Sequence, residues 1–135
     1  MEINKEAVLK DSQKEISELC EIDLDDLGLC LKQHPILYGR AYDYYEKAKA
    51  SVSSQKWKYE QAKTKAFSEL RDGGMAIGAA KERAEVEPEV IDAYNKLLEA
   101  EKRAGIFHAL VRGLDHRKDM LIQLSSREKK EYGAY

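Results

Sequence analysis

Apolar residues recur at three- and four-residue steps along the second half of the chain. Spacing of this kind places side chains on one face of an α-helix. The stripe consists of Val90, Tyr94, Leu97, Ala100, Ala104, Phe107, Leu110, Leu114, Leu121 and Leu124. It predicts one long helix over 88–131, because Pro88 suits the first turn of a helix.

The first half of the chain carries a seven-residue repeat, which is typical of helices that pack along one another. Its two rows are Tyr38, Tyr45, Val52, Tyr59 and Ala66, and Ala41, Ala48, Gln55 and Ala62. The His34-Pro35 step disfavours helix before it, and the Gly73-Gly74 pair ends a helix readily. These signals predict a long basic helix over 36–72 that packs antiparallel to the helix over 88–131.

Shorter helices are predicted around this pair. Residues 75–86 predict a short helix at the tip of the hairpin, and residues 24–33 a short amphipathic helix capped by Asp23. Residues 2–19 predict a frayed or separately docked helix. The expected fold is therefore all-α: a single helical domain over 1–135 in which an acidic N-terminal region, 1–33, precedes a long antiparallel helical hairpin.

Charge alternates along the chain in four pieces. Residues 1–33 and 73–101 are acidic, whereas 34–72 and 102–135 are basic. Two long helices cannot bury all their apolar faces on each other, so self-association is expected. Acidic and basic pieces suit head-to-tail contacts, and closure of such contacts gives a homo-oligomeric ring.

Composition narrows the class of protein. The 135 residues are 43% hydrophobic and 36% charged, with a net charge of −2, and glycine and proline are scarce. No apolar run reaches the roughly 18 residues of a membrane span, and the start lacks the layout of a signal peptide. We expect a cytoplasmic protein, in the host cytoplasm if it comes from a phage, with no membrane partner. Cys20 and Cys30 are interpreted as reduced packing residues.

Catalytic and metal-binding patterns are not found in the sequence. His108 and His116 are separated by eight positions without the carboxylate of an HExxH motif. Gly73-Gly74 follows no strand and precedes no Gly-Lys-Ser/Thr. The sequence therefore predicts no catalytic residues, no metal, no cofactor and no enzymatic activity.

The segment 47–71 is the one part of the sequence that indicates a function. It holds seven basic residues and two acidic ones, interleaved with aromatic rings. Lysine and arginine neutralise phosphates, and exposed rings stack on bases, so this mixture is typical of single-stranded nucleic-acid binding. The candidate binding residues are Lys56, Lys58, Lys63, Lys65, Arg71, Trp57 and Tyr59. The alternative is that the lysines only solvate a long helix and the rings belong to the core.

The layout over about 30–130 resembles the phage UvsY-like recombination mediators. The resemblance lies in His34-Pro35, the tyrosine and alanine spacing of the first long helix, the Lys63-Thr64-Lys65 and Leu70-Arg71 stretches, the glycine-marked tip and the second long helix. It implies a small helical homo-oligomer that binds single-stranded DNA and helps a RecA-like recombinase replace a single-strand-binding protein. Lys63-Thr64-Lys65 and Arg71 are similar to the family's basic DNA-binding stretch, whereas Phe67 stands where another basic residue is expected.

Two functions from different classes follow from the sequence. The first is a single-stranded-DNA-binding recombination mediator or accessory protein. The second is a non-enzymatic helical coiled-coil scaffold, such as a phage structural protein or chaperone, whose charges only keep the helices soluble. The mediator predicts salt-dependent binding to DNA, and the scaffold predicts no such binding.

Overall fold

The computed structural model describes residues 2–131, and all the regular secondary structure in that range is α-helical. The helices are α1 (Lys5–Lys10), α2 (Ser12–Leu19), α3 (Leu27–Asp72), α4 (Ile77–Glu85) and α5 (Pro88–Glu131). The all-α class is confirmed, and α3 and α5 pack against each other as two long helices.

Helix α5 has the bounds that the apolar stripe predicts. Pro88 is its first residue, and the backbone N–H groups of Val90 and Ile91 both donate to the Glu87 carbonyl at 3.0 Å. A proline has no N–H to leave unpaired, and its fixed φ suits the first turn. The prediction of a helix over 88–131 is confirmed.

Helix α3 begins at Leu27, so the prediction of a separate helix over 24–33 is wrong. The side chain of Asp26, not Asp23, caps this helix by accepting a hydrogen bond from the Leu29 N–H at 3.1 Å. The helix then continues through Pro35, so the predicted start of the long helix at residue 36, after a break at His34-Pro35, is also wrong. Although an internal proline costs about 3 kcal/mol, the flanking side chains of His34 and Leu37 are buried and hold this turn in place.

The Gly73-Gly74 pair ends α3 as predicted. Gly74 has a φ of 91°, a conformation that favours glycine. The N–H of Met75 donates to the Leu70 carbonyl at 3.1 Å, and that of Gly74 to the Arg71 carbonyl at 3.0 Å. This pair of bonds is the Schellman motif. The tip helix follows as α4, slightly shorter than the predicted 75–86.

The N-terminal region forms two docked helices. The Asn4 side chain caps α1 by accepting from the Ala7 N–H at 3.1 Å, and Val8 is fully buried. Helix α2 approaches α5 closely at Gly113, where an added Cβ would lie 2.8 Å from Cys20 Sγ. Of the two alternatives for this region, docking is therefore the one observed.

The chain divides into two compact units, each with its own core. Unit 1 comprises Met1–Glu46 and Gly105–Tyr135, and unit 2 comprises Lys47–Ala104. Core residues of unit 1 include Val8, Leu37, Ala41, Phe107, Leu110, Leu114 and Leu121. Core residues of unit 2 include Ala48, Ala66, Ala80, Ala84, Val90, Leu97, Ala100 and Ala104. Every candidate binding residue lies in unit 2.

Candidate nucleic-acid interface

Trp57 lies on the outer side of α3, pointing away from the core of unit 2. Its side chain is 63% exposed, and it is the only tryptophan in the chain. Successive residues of a helix are turned by about 100° around the axis. Ala66, on the buried side of α3, therefore lies nearly opposite Trp57. The indole is available to a partner.

Lysines flank Trp57 in two rows. Lys56 and Lys58 lie on either side of it, and Lys63 and Lys65 follow each of them by seven residues, or two helical turns. Lys56, Lys58 and Lys65 are exposed, and Lys63 is half-buried. We call Lys56, Trp57, Lys58, Lys63 and Lys65 together the α3 outer face. One exposed ring thus lies between two rows of positive charge.

Tyr59 has a different environment from Trp57, although both are candidate binding residues. Its ring packs on Tyr94 of α5, with 5.4 Å between the ring centroids, and contacts the buried cluster of Ala66, Ala84 and Val90. The ammonium group of Lys63 lies 4.5 Å from the centre of the Tyr59 ring. Tyr59 therefore holds α3 to α5 and positions Lys63, which is the core role that the alternative interpretation gives to the rings.

Lys63 and Arg71 each have a partner within the chain. Lys63 Nζ lies 3.4 Å from Glu60 Oε1, in a partly exposed ion pair of the kind that contributes little to stability. Arg71 Nη1 donates to the Met75 carbonyl at 2.9 Å and so supports the end of α3. These contacts position both cationic groups. Lys63 lies at the edge of the α3 outer face, and Arg71 lies near the C-terminal end of α3.

Positive charge in unit 2 is concentrated on α3. The segment 47–72 carries seven basic and three acidic residues, whereas 77–104, which supplies α4 and the first part of α5, carries five basic and seven acidic residues. A localised patch attracts a polyanion even when the net charge of the chain is slightly negative. The sequence showed the excess of lysine, and the fold places it on one helix.

A buried polar pair in unit 1 was not predicted from the sequence. Arg117 Nη1 lies 2.8 Å from His34 Nδ1, and Arg117 Nε donates to the Glu21 carbonyl at 3.1 Å. Within residues 2–131, His34 Nε2 has no hydrogen-bond partner. Burial, followed by the positive charges of Arg117 and Lys118, lowers the pKa of His34. The sequence does contain a signal for a buried charge, because Arg117 occupies a position of the apolar stripe between Leu114 and Leu121.

Metal sites and membrane spans are not found among residues 2–131. No group of three or more histidine, cysteine, aspartate or glutamate residues there is placed to hold a metal ion. None of the helices in that range has an apolar stretch long enough to cross a bilayer. No protein family, curated protein or solved structure was found to match the chain.

Proposed function

We propose that this chain is a non-enzymatic single-stranded-DNA-binding protein and that the α3 outer face is its contact surface. The observation that carries the proposal is the exposed Trp57 between two rows of lysine. A large ring that is mostly exposed contributes little to the core of unit 2, but it offers a stacking surface worth about 1–3 kcal/mol per base. The lysines beside it supply the counterion release that dominates affinity for nucleic acids.

The preference for a single strand follows from the same arrangement. A ring that stands between two rows of cations can stack only on a base that is free of its neighbours. In a duplex the bases are paired and stacked, so only the phosphates are accessible to the α3 outer face. We therefore expect weaker, purely electrostatic binding to duplex DNA.

The more specific role is supported by the resemblance of the sequence. Under this proposal the protein is a recombination mediator, which helps a RecA-like recombinase to load on DNA covered by a single-strand-binding protein. A homo-oligomer, for which a ring is one closed form, would place several copies of the α3 outer face on one strand. Such multivalency turns weak single sites into tight binding.

The test is fluorescence anisotropy of a labelled oligo-dT strand and its duplex counterpart at several salt concentrations. We expect tight, salt-sensitive binding that favours the single strand. Replacing Lys58, Lys63, Lys65 and Arg71 by alanine should weaken binding and reduce the slope of log affinity against log salt by about 0.7 for each phosphate that is no longer neutralised. Unchanged affinity in this variant would remove the α3 outer face from the proposal.

A matched control separates a local contact from an effect of total charge. Unit 1 offers four exposed basic residues for the same change in charge: Lys14, Lys32, Arg127 and Lys129. Replacing these by alanine should leave the affinity near that of the unchanged protein. Circular dichroism of both variants shows whether the helices are retained.

A helical scaffold is the second candidate, and one observation favours it. Ile91, Tyr94 and Leu98 follow one another along α5 at steps of three and four residues, and their side chains are 45%, 44% and 43% exposed. An exposed apolar row at this spacing suits contact with a partner helix. The scaffold alone predicts association of the chain without any salt-dependent binding to DNA, so the anisotropy titration distinguishes the two functions.

A further inference from the structure

A groove opens between α3 and α4 of unit 2, next to the α3 outer face. Its volume is about 220 Å³. The residues that line it include one aromatic residue, two lysines, a threonine and a glutamate: Lys63, Thr64, Phe67, Lys81, Ala84 and Glu85. Pockets for drug-sized ligands have volumes of about 300–1,000 Å³. This groove therefore suits a smaller group, such as one planar ring system.

Phe67 and Ala84 form the apolar wall of the groove. Phe67 is half-buried and packs against the cluster of Ala66, Ala84 and Val90, which fixes its position. The sequence resemblance predicted a basic residue at position 67. The residue there is Phe67, and packing against the core holds its ring in place. An unstacked base recovers part of its lost stacking on such a ring.

Two lysines from different helices line the groove. Lys63 comes from α3 and Lys81 from α4, and both line the opening. Lys63 also belongs to the α3 outer face, so a strand that follows that face reaches the groove without leaving positive charge. A nucleotide whose base enters the groove can have its phosphates near these two ammonium groups.

Glu85 gives the groove a chemical preference among bases. An ionised carboxylate only accepts hydrogen bonds. Cytosine carries an exocyclic amino group that donates at the position where thymine presents a carbonyl, and the single ring donor of thymine, N3–H, is flanked by two carbonyls. A carboxylate in the groove therefore favours cytosine, whose amino group donates, over thymine, whose carbonyl at that position only accepts.

We propose that this groove binds one unstacked base of the strand on the α3 outer face, and that it prefers cytosine to thymine. The proposal rests on the proposed single-stranded-DNA binding and adds base preference to it. Phe67 supplies the stacking surface, Glu85 the acceptor, and Lys63 and Lys81 the contacts to phosphate.

The experiment compares dC and dT strands of equal length, which differ in base edge but not in ring size. We expect the unchanged protein to bind the dC strand at least about fivefold more tightly, the lower end of the discrimination that one good base-edge contact provides. In Glu85→Gln the ratio should fall towards one, because an amide can also donate to thymine. Phe67→Leu, which keeps an apolar side chain in the cluster, should weaken binding to both strands.

Glu82→Gln is the matched control, since Glu82 is exposed on the same helix, carries the same charge and does not line the groove. It should keep the preference for dC. Equal binding of dC and dT by the unchanged protein, or an unchanged preference in Glu85→Gln, would overturn the groove proposal and leave single-strand binding standing. Failure to bind either strand at low salt would overturn the proposed function itself.

Discussion

Arg117 and His34 form a buried hydrogen bond of 2.8 Å between Nη1 and Nδ1, linking α5 to the early part of α3. Arginine remains protonated in proteins and can only donate. His34 Nδ1 must therefore accept, which places the imidazole in its neutral form with the proton on Nε2. One contact thus fixes both the charge and the tautomer of a histidine inside unit 1.

The stability of the fold should depend on pH through His34. Burial and the neighbouring positive charges hold the pKa of His34 below its ordinary value of 6.5. The unfolded chain therefore binds more protons than the folded one in acid, and the free energy of unfolding rises with pH. The stabilising contribution is fully present above about pH 6.5 and is lost as pH falls below it. Urea unfolding between pH 7.5 and about 5 measures this.

The matched pair of substitutions for this test is His34→Gln and His116→Gln. Glutamine at 34 can still accept from Arg117 but does not titrate, so the pH dependence should shrink. His116 is exposed, and its replacement should leave the dependence in place. Equal pH profiles for His34→Gln and the unchanged protein would contradict the role given to His34.

Arg117→Met should destabilise unit 1. Methionine keeps much of the volume but removes the donors to the Glu21 carbonyl and to His34 Nδ1, and each buried group left unpaired costs about 1–3 kcal/mol. Relief of the buried charge offsets part of this cost, so we expect a decrease of about 2–4 kcal/mol. Arg112→Met is the control, because Arg112 is exposed on the same helix. A change in urea midpoint that is equal for both variants would contradict the prediction.

Gly113→Ala and Gly105→Ala should change stability in opposite directions. Both glycines lie within α5, where alanine is the better helix former by about 1 kcal/mol. At Gly105 nothing lies within 4 Å of an added Cβ, so the substitution should stabilise. At Gly113 the Cβ would meet Cys20 Sγ at 2.8 Å, closer than real Cβ contacts, so Cys20 must move from its place between α2 and α5 and the protein should become less stable. Thermal unfolding of the two variants gives the comparison.

Gly74→Ala should lower the free energy of unfolding by about 1–2 kcal/mol, because an L side chain is strained at the φ of 91° found there. Gly73→Ala serves as the control: its Cβ would make only ordinary contacts, at 3.5 Å and 3.6 Å, with carbonyl oxygens of the last turn. A melting temperature that falls as far for Gly73→Ala as for Gly74→Ala would argue against the role of the positive φ.

Trp57 should report DNA binding directly. As the only tryptophan, it gives an intrinsic fluorescence signal that we expect to be quenched when oligo-dT stacks on it. Trp57→Ala should lower affinity by about 1–3 kcal/mol without lowering the melting temperature, since the ring is exposed. Trp57→Phe should retain part of the affinity. Tyr42→Ala, which removes an exposed ring from unit 1, should leave binding unchanged.

Local signals in the amino-acid chain were sufficient to predict the helical class and most of the helix ends. The apolar stripe of α5 spans so many turns that only a long helix satisfies it. The fixed φ of Pro88 and the tolerance of Gly74 for a positive φ are the same in any context. These features depend on neighbours along the chain, so the sequence alone contains them. The excess of lysine over 47–71 is equally local.

Features that depend on distant partners required the packed fold. Pro35 lies inside α3, where His34 before it and Leu37 after it are buried, so tertiary packing overrides the local preference of the proline. Tyr59 and Trp57, two residues apart, differ in role because one faces Tyr94 and the other faces solvent. The groove requires α4 to bring Lys81 and Glu85 beside Phe67. Periodicity gives the face of a helix, but only packing determines what that face contacts.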